Sequence, residues 1–112
     1  MMFWKKSAPS QPSLIELDPA EVSARMARGE ITLVDVREPN EVAAERIPGA
    51  HAMPLSQFNP AALPQGEVVL TCLGGKRSAM AVSRCRQAGV PVNTHMRGGL
   101  SAWKAVGLPT TR

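Results

Sequence analysis

The sequence predicts an α/β domain, with a mainly parallel central sheet of about five strands and helices on both faces. Short apolar runs alternate along the chain with segments of helical periodicity, which is typical of parallel strands joined by helical crossovers. In the run EVVLTC, residues 67–72, the residues after Glu67 are mainly apolar without alternation, as expected for a strand that is covered on both faces. The length of 112 residues fits one domain.

The first half of the chain supplies three of the predicted strands and two helices. SLIEL is the first strand, and DPAEVSARMARGE is a helix with Asp18 as N-cap, Pro19 at its first position and Gly29 at its end. ITLVDV is a β-branched strand that ends on Asp35. PNEVAAER is a short helix that begins with proline, and IPGAHAMP holds a turn and a brief strand.

The second half continues the alternation after a loop, PLSQFNPAALPQGE, in which we expect one helical turn. EVVLTC is the next strand, and SAMAVSRCRQAG is a helix that ends on Gly89. VPVNTHM is the last strand. GGLSAWKAVG is the last helix, with Leu100 and Trp103 on its inner face.

The composition argues against several classes of protein. A net charge of +4 is mild, and with no Tyr, two Phe and two Trp there is no aromatic basic groove, so we expect no nucleic-acid partner. No apolar run approaches the roughly 18 residues of a membrane span. His51 and His95 stand alone, and we interpret both as ordinary surface or core residues; no metal site is predicted.

The chain starts with MMFWKKSAPSQPS, which lacks the apolar region of about 7–15 residues found in signal peptides. We expect residues 1–12 to form a disordered tail and residues 13–112 to form the domain. A weak contact of Phe3 and Trp4 with a membrane or a partner is the alternative for the tail. In the absence of a leader or a span, a cytoplasmic location is expected.

The most informative stretch is VVLTCLGGKRSAMAV, residues 68–82, in which Cys72 follows the apolar strand. Sites in parallel sheets form where strands end at their carboxyl edge. The glycines of the loop CLGGKR allow successive N–H groups to point at one spot, and the next helix adds its own unpaired N–H groups. Together with Lys76 and Arg77, this favours a negative atom at the loop centre. Cys72 is therefore predicted to be a thiolate nucleophile rather than a small buried hydrophobe.

These residues resemble the single-domain rhodaneses, the thiosulfate sulfurtransferase family. CLGGKRS fits the six-residue active-site loop of that family, Cys-x-x-Gly-x-Arg, followed by Ser. LVDVREPNE, RIPGAHAMP and RGGLSAWKAVGLP are similar to further family motifs in the same order, so that the resemblance covers almost the whole chain after the tail. The departure is Arg46, where the family commonly has His before Ile-Pro-Gly-Ala, and it affects local packing rather than the nucleophile.

The resemblance implies a rhodanese-like domain in which Cys72 takes the outer sulfur of thiosulfate, releases sulfite and carries a persulfide. Cyanide or a thiol, including the thiol of a protein, then accepts the sulfur in a second half-reaction. We expect a monomer that uses a small anionic donor and no cofactor. The residues whose N–H groups are expected to bind the outer sulfur are Leu73, Gly74, Gly75, Lys76 and Arg77.

The side chains around Cys72 are also predicted to have roles at the site. Arg77 is expected to orient the loop and bind the sulfonate of the donor, with a surface salt bridge as the alternative. Lys76 either attracts the donor or belongs to a solvated face. Ser78 is expected to cap the helix rather than to bond the sulfur. Asp35 and Arg37 are expected to brace the site by ion pairing.

The second cysteine and the distribution of charged residues also lead to predictions. Cys85 lies about 10 Å of helical rise from the loop, beyond the roughly 7 Å Cα separation of a disulfide, and is predicted to be a core residue. Glu67 is the last acid, and every later charged side chain is a cation. Either acids of the first half lie beside these cations, or the cations attract an anionic substrate.

Three rival interpretations stay open. Mercaptopyruvate-using relatives have a loop like Cys-Gly-Ser/Thr-Gly-Val-Thr, which CLGGKR does not match. Phosphatases related in fold place five residues between Cys and Arg, whereas four lie between Cys72 and Arg77 here. A non-catalytic or sulfur-relay binding module is the third, although inactive rhodanese-like domains typically lack the cysteine.

Overall fold

The structure, a computed structural model, describes residues 14–112, and the predicted tail lies outside this range. One five-stranded sheet has the order β1-β5-β4-β2-β3, and all of its strand pairs are parallel. The predicted fold class is thus confirmed. The strands are β1 (Ile15–Leu17), β2 (Thr32–Asp35), β3 (His51–Ala52), β4 (Val68–Thr71) and β5 (Thr94–Met96).

The helices follow the predicted order along the chain. They are α1 (Pro19–Ala27), α2 (Pro39–Ala44), α3 (Lys76–Gln87) and α4 (Gly99–Ala105). The Asp18 cap is confirmed, since Oδ1 of Asp18 accepts the N–H of Glu21 at 2.9 Å. Two 3₁₀ turns, Leu55–Gln57 and Pro60–Ala62, occupy the loop for which one helical turn was predicted.

Strand β4 is buried along its whole length because helices cover the sheet on both sides. Alternate residues of a strand face opposite sides, and they enter two separate apolar clusters. On one side Val68 and Leu70 pack with α3, including the fully buried Cys85, which confirms the core assignment of that cysteine. On the other side Val69 belongs to the cluster that includes Trp103 of α4.

The parallel register brings the ends of the central strands to one edge of the sheet. Asp35 is the register partner of Thr71, so the end of β2 lies beside the residue that precedes Cys72. His95 of β5 is the partner of Leu70 on the other side of β4. Within residues 14–112, no helix is long and apolar enough to cross a membrane.

Candidate active site

The sulfur of Cys72 is held inside the loop that joins β4 to α3. Cys72 is only 1% exposed. Its Sγ accepts the backbone N–H of Gly75 at 3.1 Å and that of Ser78 at 3.3 Å, and it lies 3.5 Å from the hydroxyl of Ser78. Because hydrogen bonds to a charged acceptor are worth about 1.5–3 kcal/mol each, these donors favour negative charge on the sulfur.

Gly75 gives the loop its shape. Its φ of 108° is a left-handed conformation that L-residues rarely adopt, and it makes Gly75 the N-cap of α3. The helix consequently begins at Lys76, two residues earlier than predicted. The prediction that Ser78 caps the helix is wrong, because Ser78 is the third helical residue and its N–H bonds the sulfur instead.

The remaining amides of the loop have no partner in the protein. Within the described residues, no acceptor takes the N–H groups of Leu73, Gly74, Lys76 or Arg77. Leu73 and Gly74 are also exposed. These donors are available to an anionic ligand at the mouth of the loop, and their predicted contact with a transferred sulfur stays a prediction.

The start of α4 supports the loop from behind, a role that the sequence analysis missed. The N–H of Leu100 donates to the carbonyl of Cys72 at 2.9 Å, and that of Ser101 donates to the carbonyl of Leu73 at 3.0 Å. A Cβ on Gly99 would lie 2.5 Å from the first of these oxygens and 2.6 Å from the second. Only glycine allows this approach, and the Gly-Gly pair before LSAW was the available signal.

Asp35 and Arg37 form the predicted ion pair, and both are 3% exposed. Nη2 of Arg37 lies 2.8 Å from Oδ2 of Asp35. The same guanidinium also donates to the carbonyls of Glu41 at 3.3 Å and Glu45 at 2.9 Å. The pair therefore fastens α2 to the end of β2, next to the loop.

Arg77 is engaged by a carboxylate of α2. Its two terminal nitrogens bond the two carboxylate oxygens of Glu41 at 2.6 and 3.0 Å. Hydrogen bonds from Arg77 lower the pKa of Glu41 to about 2, and Glu41 in turn raises the pKa of Arg77. Of the two roles predicted for Arg77, the salt bridge is present. Binding of a sulfonate stays a prediction and requires competition with Glu41.

Other acids of the first half also lie beside cations of the second half. Glu45 bonds Lys104 at 2.7 Å, and this contact lowers the pKa of Glu45. Arg97 lies 3.8 Å from Asp18. These contacts support the interpretation that acids of the first half of the chain lie beside the cations of the second half. Lys76, by contrast, is exposed and makes no ion pair within the part of the chain that the structure describes.

A groove of about 480 Å³ borders the loop at Leu73, a residue that is 45% exposed. Each of its charged side chains is already in an ion pair, Glu45 with Lys104 inside the groove and the other two with residues beside it, so the groove has no strong single sign. It is lined by Arg37, Glu41, Ala44, Glu45, Leu73, Leu100, Ser101 and Lys104. Among residues 14–112, no three His, Cys, Asp or Glu side chains are grouped as a metal site would require.

His95 is the second residue that the sequence analysis missed. It is 2% exposed, with Nδ1 2.7 Å from Oγ of Ser78 and Nε2 2.8 Å from Oε2 of Glu16. Its interpretation as an ordinary residue rested on isolation in the sequence, and Glu16 lies 79 positions away. No local pattern connects the two. His51, in contrast, is exposed on β3.

Comparisons with known proteins identify relatives of this chain. A relative from Allochromatium vinosum named sulfurtransferase is 37% identical over 98 residues, covering 84% of this chain and 92% of that protein. An uncharacterized protein of Synechocystis is 41% identical over 108 residues, covering 94% of this chain but only 60% of the relative.

The fold and the family follow from two further matches. The crystal structure of a rhodanese-related protein from Thermoplasma volcanium superimposes with a TM-score of 0.75 at 27% identity, covering 87% of this chain and 97% of that one. The family model described as "Rhodanese-like domain" matches residues 18–106, which include both the loop and its supports. The chain therefore belongs to the rhodanese-like domain family.

Proposed function

We propose that this protein is a sulfurtransferase that moves sulfane sulfur from thiosulfate, or another persulfide donor, to a thiophilic acceptor through a persulfide on Cys72. Membership of the rhodanese-like family and the relative named sulfurtransferase support sulfur transfer in general. The observation that supports a persulfide on Cys72 is the arrangement of N–H groups in the loop. Two backbone N–H groups already bond the sulfur of Cys72, and four neighbouring amides are without an acceptor in the described chain.

In the first half-reaction the Cys72 thiolate attacks the outer sulfur of thiosulfate. A new S–S bond forms while the bond between the outer sulfur and the sulfonate sulfur breaks, and sulfite leaves with that electron pair. The persulfide keeps one negative charge, which resides on its terminal sulfur. The unpaired amides of Leu73, Gly74, Lys76 and Arg77 are the donors that would stabilise this charge.

In the second half-reaction cyanide or a thiolate attacks the terminal sulfur. The S–S bond breaks and Cys72 leaves as a thiolate, so the starting state is restored without a cofactor. Two separate half-reactions predict ping-pong kinetics.

Transfer to a protein partner is the second candidate, and one observation favours it. Leu73 follows the nucleophile directly, is 45% exposed and borders the groove. An exposed apolar side chain at this point offers a contact for a protein that presents a thiol or a persulfide. Sulfur transfer to a protein uses the same Cys72 chemistry and differs only in the acceptor.

A phosphatase activity has less support. The loop places four residues between Cys72 and Arg77, and the guanidinium is held by Glu41. Such a small loop suits one sulfur atom better than a tetrahedral phosphate.

The experiment that tests the proposal is thiocyanate production from thiosulfate and cyanide. Cys72→Ser should abolish turnover, whereas Cys85→Ser, which alters a core thiol, should retain it. One residue inserted between Cys72 and Arg77 should cripple turnover, because the N–H groups would no longer converge. Turnover by Cys72→Ser would refute the proposal, as would phosphate release from an aryl phosphate in preference to sulfur transfer.

A further inference from the structure

A chain of hydrogen bonds leads from the buried nucleophile to the surface. Sγ of Cys72 lies 3.5 Å from Oγ of Ser78, which lies 2.7 Å from Nδ1 of His95. Nε2 of His95 lies 2.8 Å from Oε2 of Glu16. The imidazole side chain is 3% exposed, whereas that of Glu16 is 44% exposed. The path therefore leads from the loop after β4 through α3 and β5 to the edge strand β1.

The chemistry of the four groups gives the path a direction. A carboxylate only accepts, so Nε2 of His95 donates to Glu16. In a neutral imidazole the other nitrogen then accepts, and Nδ1, at 2.7 Å, receives the hydroxyl hydrogen of Ser78 in preference to the carbonyl of Gly75 at 3.2 Å. Oγ of Ser78 has lone pairs left, and these face the S–H of Cys72. Each donor thus finds an acceptor one step closer to Glu16.

We propose that Ser78, His95 and Glu16 form a proton relay that takes the thiol proton of Cys72, with His95 as a positioning residue that acts through Ser78. The S–H bond breaks and its electron pair stays on sulfur. Ser78 receives that proton as it passes its own to Nδ1, so no proton enters or leaves the protein. The imidazolium is then paired with Glu16, and the hydroxyl of Ser78 donates to the thiolate.

This inference rests on the proposed function, because it explains how the resting thiol becomes the nucleophile. Turnover itself returns Cys72 as a thiolate, so the proton can stay on His95 between cycles. Among the described residues, Ser78 and Glu16 are the side chains that bond the ring, one from α3 and one from β1. Its register partner on β4 is the apolar Leu70.

A purely structural role for His95 would be to join three elements without exchanging protons. Asn in its place can still accept from Ser78, but it cannot take up a proton. The measurement must therefore report on the thiol itself and not on the fold. The ultraviolet absorbance of the thiolate does so, with Cys72→Ser as the baseline, and it does not require a reagent to reach the buried sulfur.

The experiment compares the ratio of thiolate to thiol at neutral pH in the full chain and its variants. Loss of a charge-assisted hydrogen bond predicts that His95→Asn and Ser78→Ala lower this ratio about tenfold. Glu16→Gln, at the exposed end, should lower it about twofold. His51→Asn is the matched control, since it makes the same exchange on exposed β3 and should leave the ratio unchanged.

An unchanged ratio in folded Ser78→Ala and Glu16→Gln would overturn the relay, even if His95→Asn failed to fold. A low ratio in Ser78→Ala with no change in Glu16→Gln and His95→Asn would also overturn it, because the hydroxyl alone would then suffice. Sulfur loading of Cys72 from thiosulfate is measured separately by intact mass. A wild type that takes no sulfur contradicts the proposed function, while the thiolate ratio still decides the relay.

Discussion

Replacement of Gly99 by alanine tests how the loop is supported. The new Cβ would lie 2.5 Å from the carbonyl oxygen of Cys72 and 2.6 Å from that of Leu73. Both atoms belong to the backbone, so neither can rotate away. The φ of +58° at Gly99 costs alanine about 1–2 kcal/mol, and the overlap adds about 1–3 kcal/mol. We therefore expect Gly99→Ala to lower the free energy of unfolding by about 2–5 kcal/mol.

The effect on chemistry should exceed the effect on stability. The loop must shift to relieve the overlap, and a displacement of about 1 Å at a reacting centre can cost about 100-fold in rate. The rate of persulfide formation from thiosulfate measures this loss, and urea denaturation measures the stability. Gly89→Ala is the matched control, because Gly89 has a similar φ of +72° but nothing within 4 Å of an added Cβ. It should lose about 1–2 kcal/mol and keep its rate. Equal stabilities and equal rates in the two variants would show that the close approach of Gly99 does not hold the loop in place.

The other predictions concern charged residues around the site. Lys76→Ala should lower kcat/KM for thiosulfate about fivefold and flatten its dependence on salt, and Lys76→Glu should lower it further; unchanged salt dependence would place Lys76 on a solvated face. Asp35→Asn leaves the guanidinium of Arg37 buried without its counter-charge and should cost about 3–5 kcal/mol in urea denaturation; a loss below about 1 kcal/mol would show that the pair is not needed. Arg77 depresses the pKa of Glu41 from 4.5 to about 2, so this pair stabilises the protein above pH 4.5 and the stabilisation is lost as the pH falls toward 2. Glu41→Gln should thus cost about 1–2 kcal/mol at pH 7, allowing for solvent screening, and less near pH 2; an equal cost at both would contradict the assignment.

The fold was predictable because its signals are local. The run that became β4 is apolar from Val68 to Leu70 without polar alternation, and covering on both faces follows from that pattern. Asp18 and Pro19 mark the start of α1 by residue type, and the structure places both where expected. The start of α3 was less predictable. It depends on the left-handed conformation of Gly75, and the sequence does not state which of two adjacent glycines adopts it.

The site was predictable only as far as the loop. Cys72 and its neighbours are contiguous, so composition and position after a strand were sufficient to single out this loop, while the role of Cys72 as nucleophile stays a prediction. His95 and Glu16 meet because β1 and β5 are paired in one particular register, and that register is a property of the assembled sheet. The approach of Gly99 to the carbonyls of the loop likewise joins segments that are distant in sequence. For Arg77, a salt bridge was one of two alternatives, the other being sulfonate binding. The partner Glu41 could not be named, because the sequence does not show which acid of the first half lies beside which cation.

The persulfide on Cys72 is tested most directly by the intact mass of the protein after mixing with thiosulfate, and again after adding cyanide. We predict that the wild type gains one sulfur atom and loses it to cyanide. Cys85→Ala should behave in the same way, and Cys72→Ser should gain nothing. A sulfur atom bound to Cys72→Ser, or a wild type that gains none, would contradict the persulfide on Cys72.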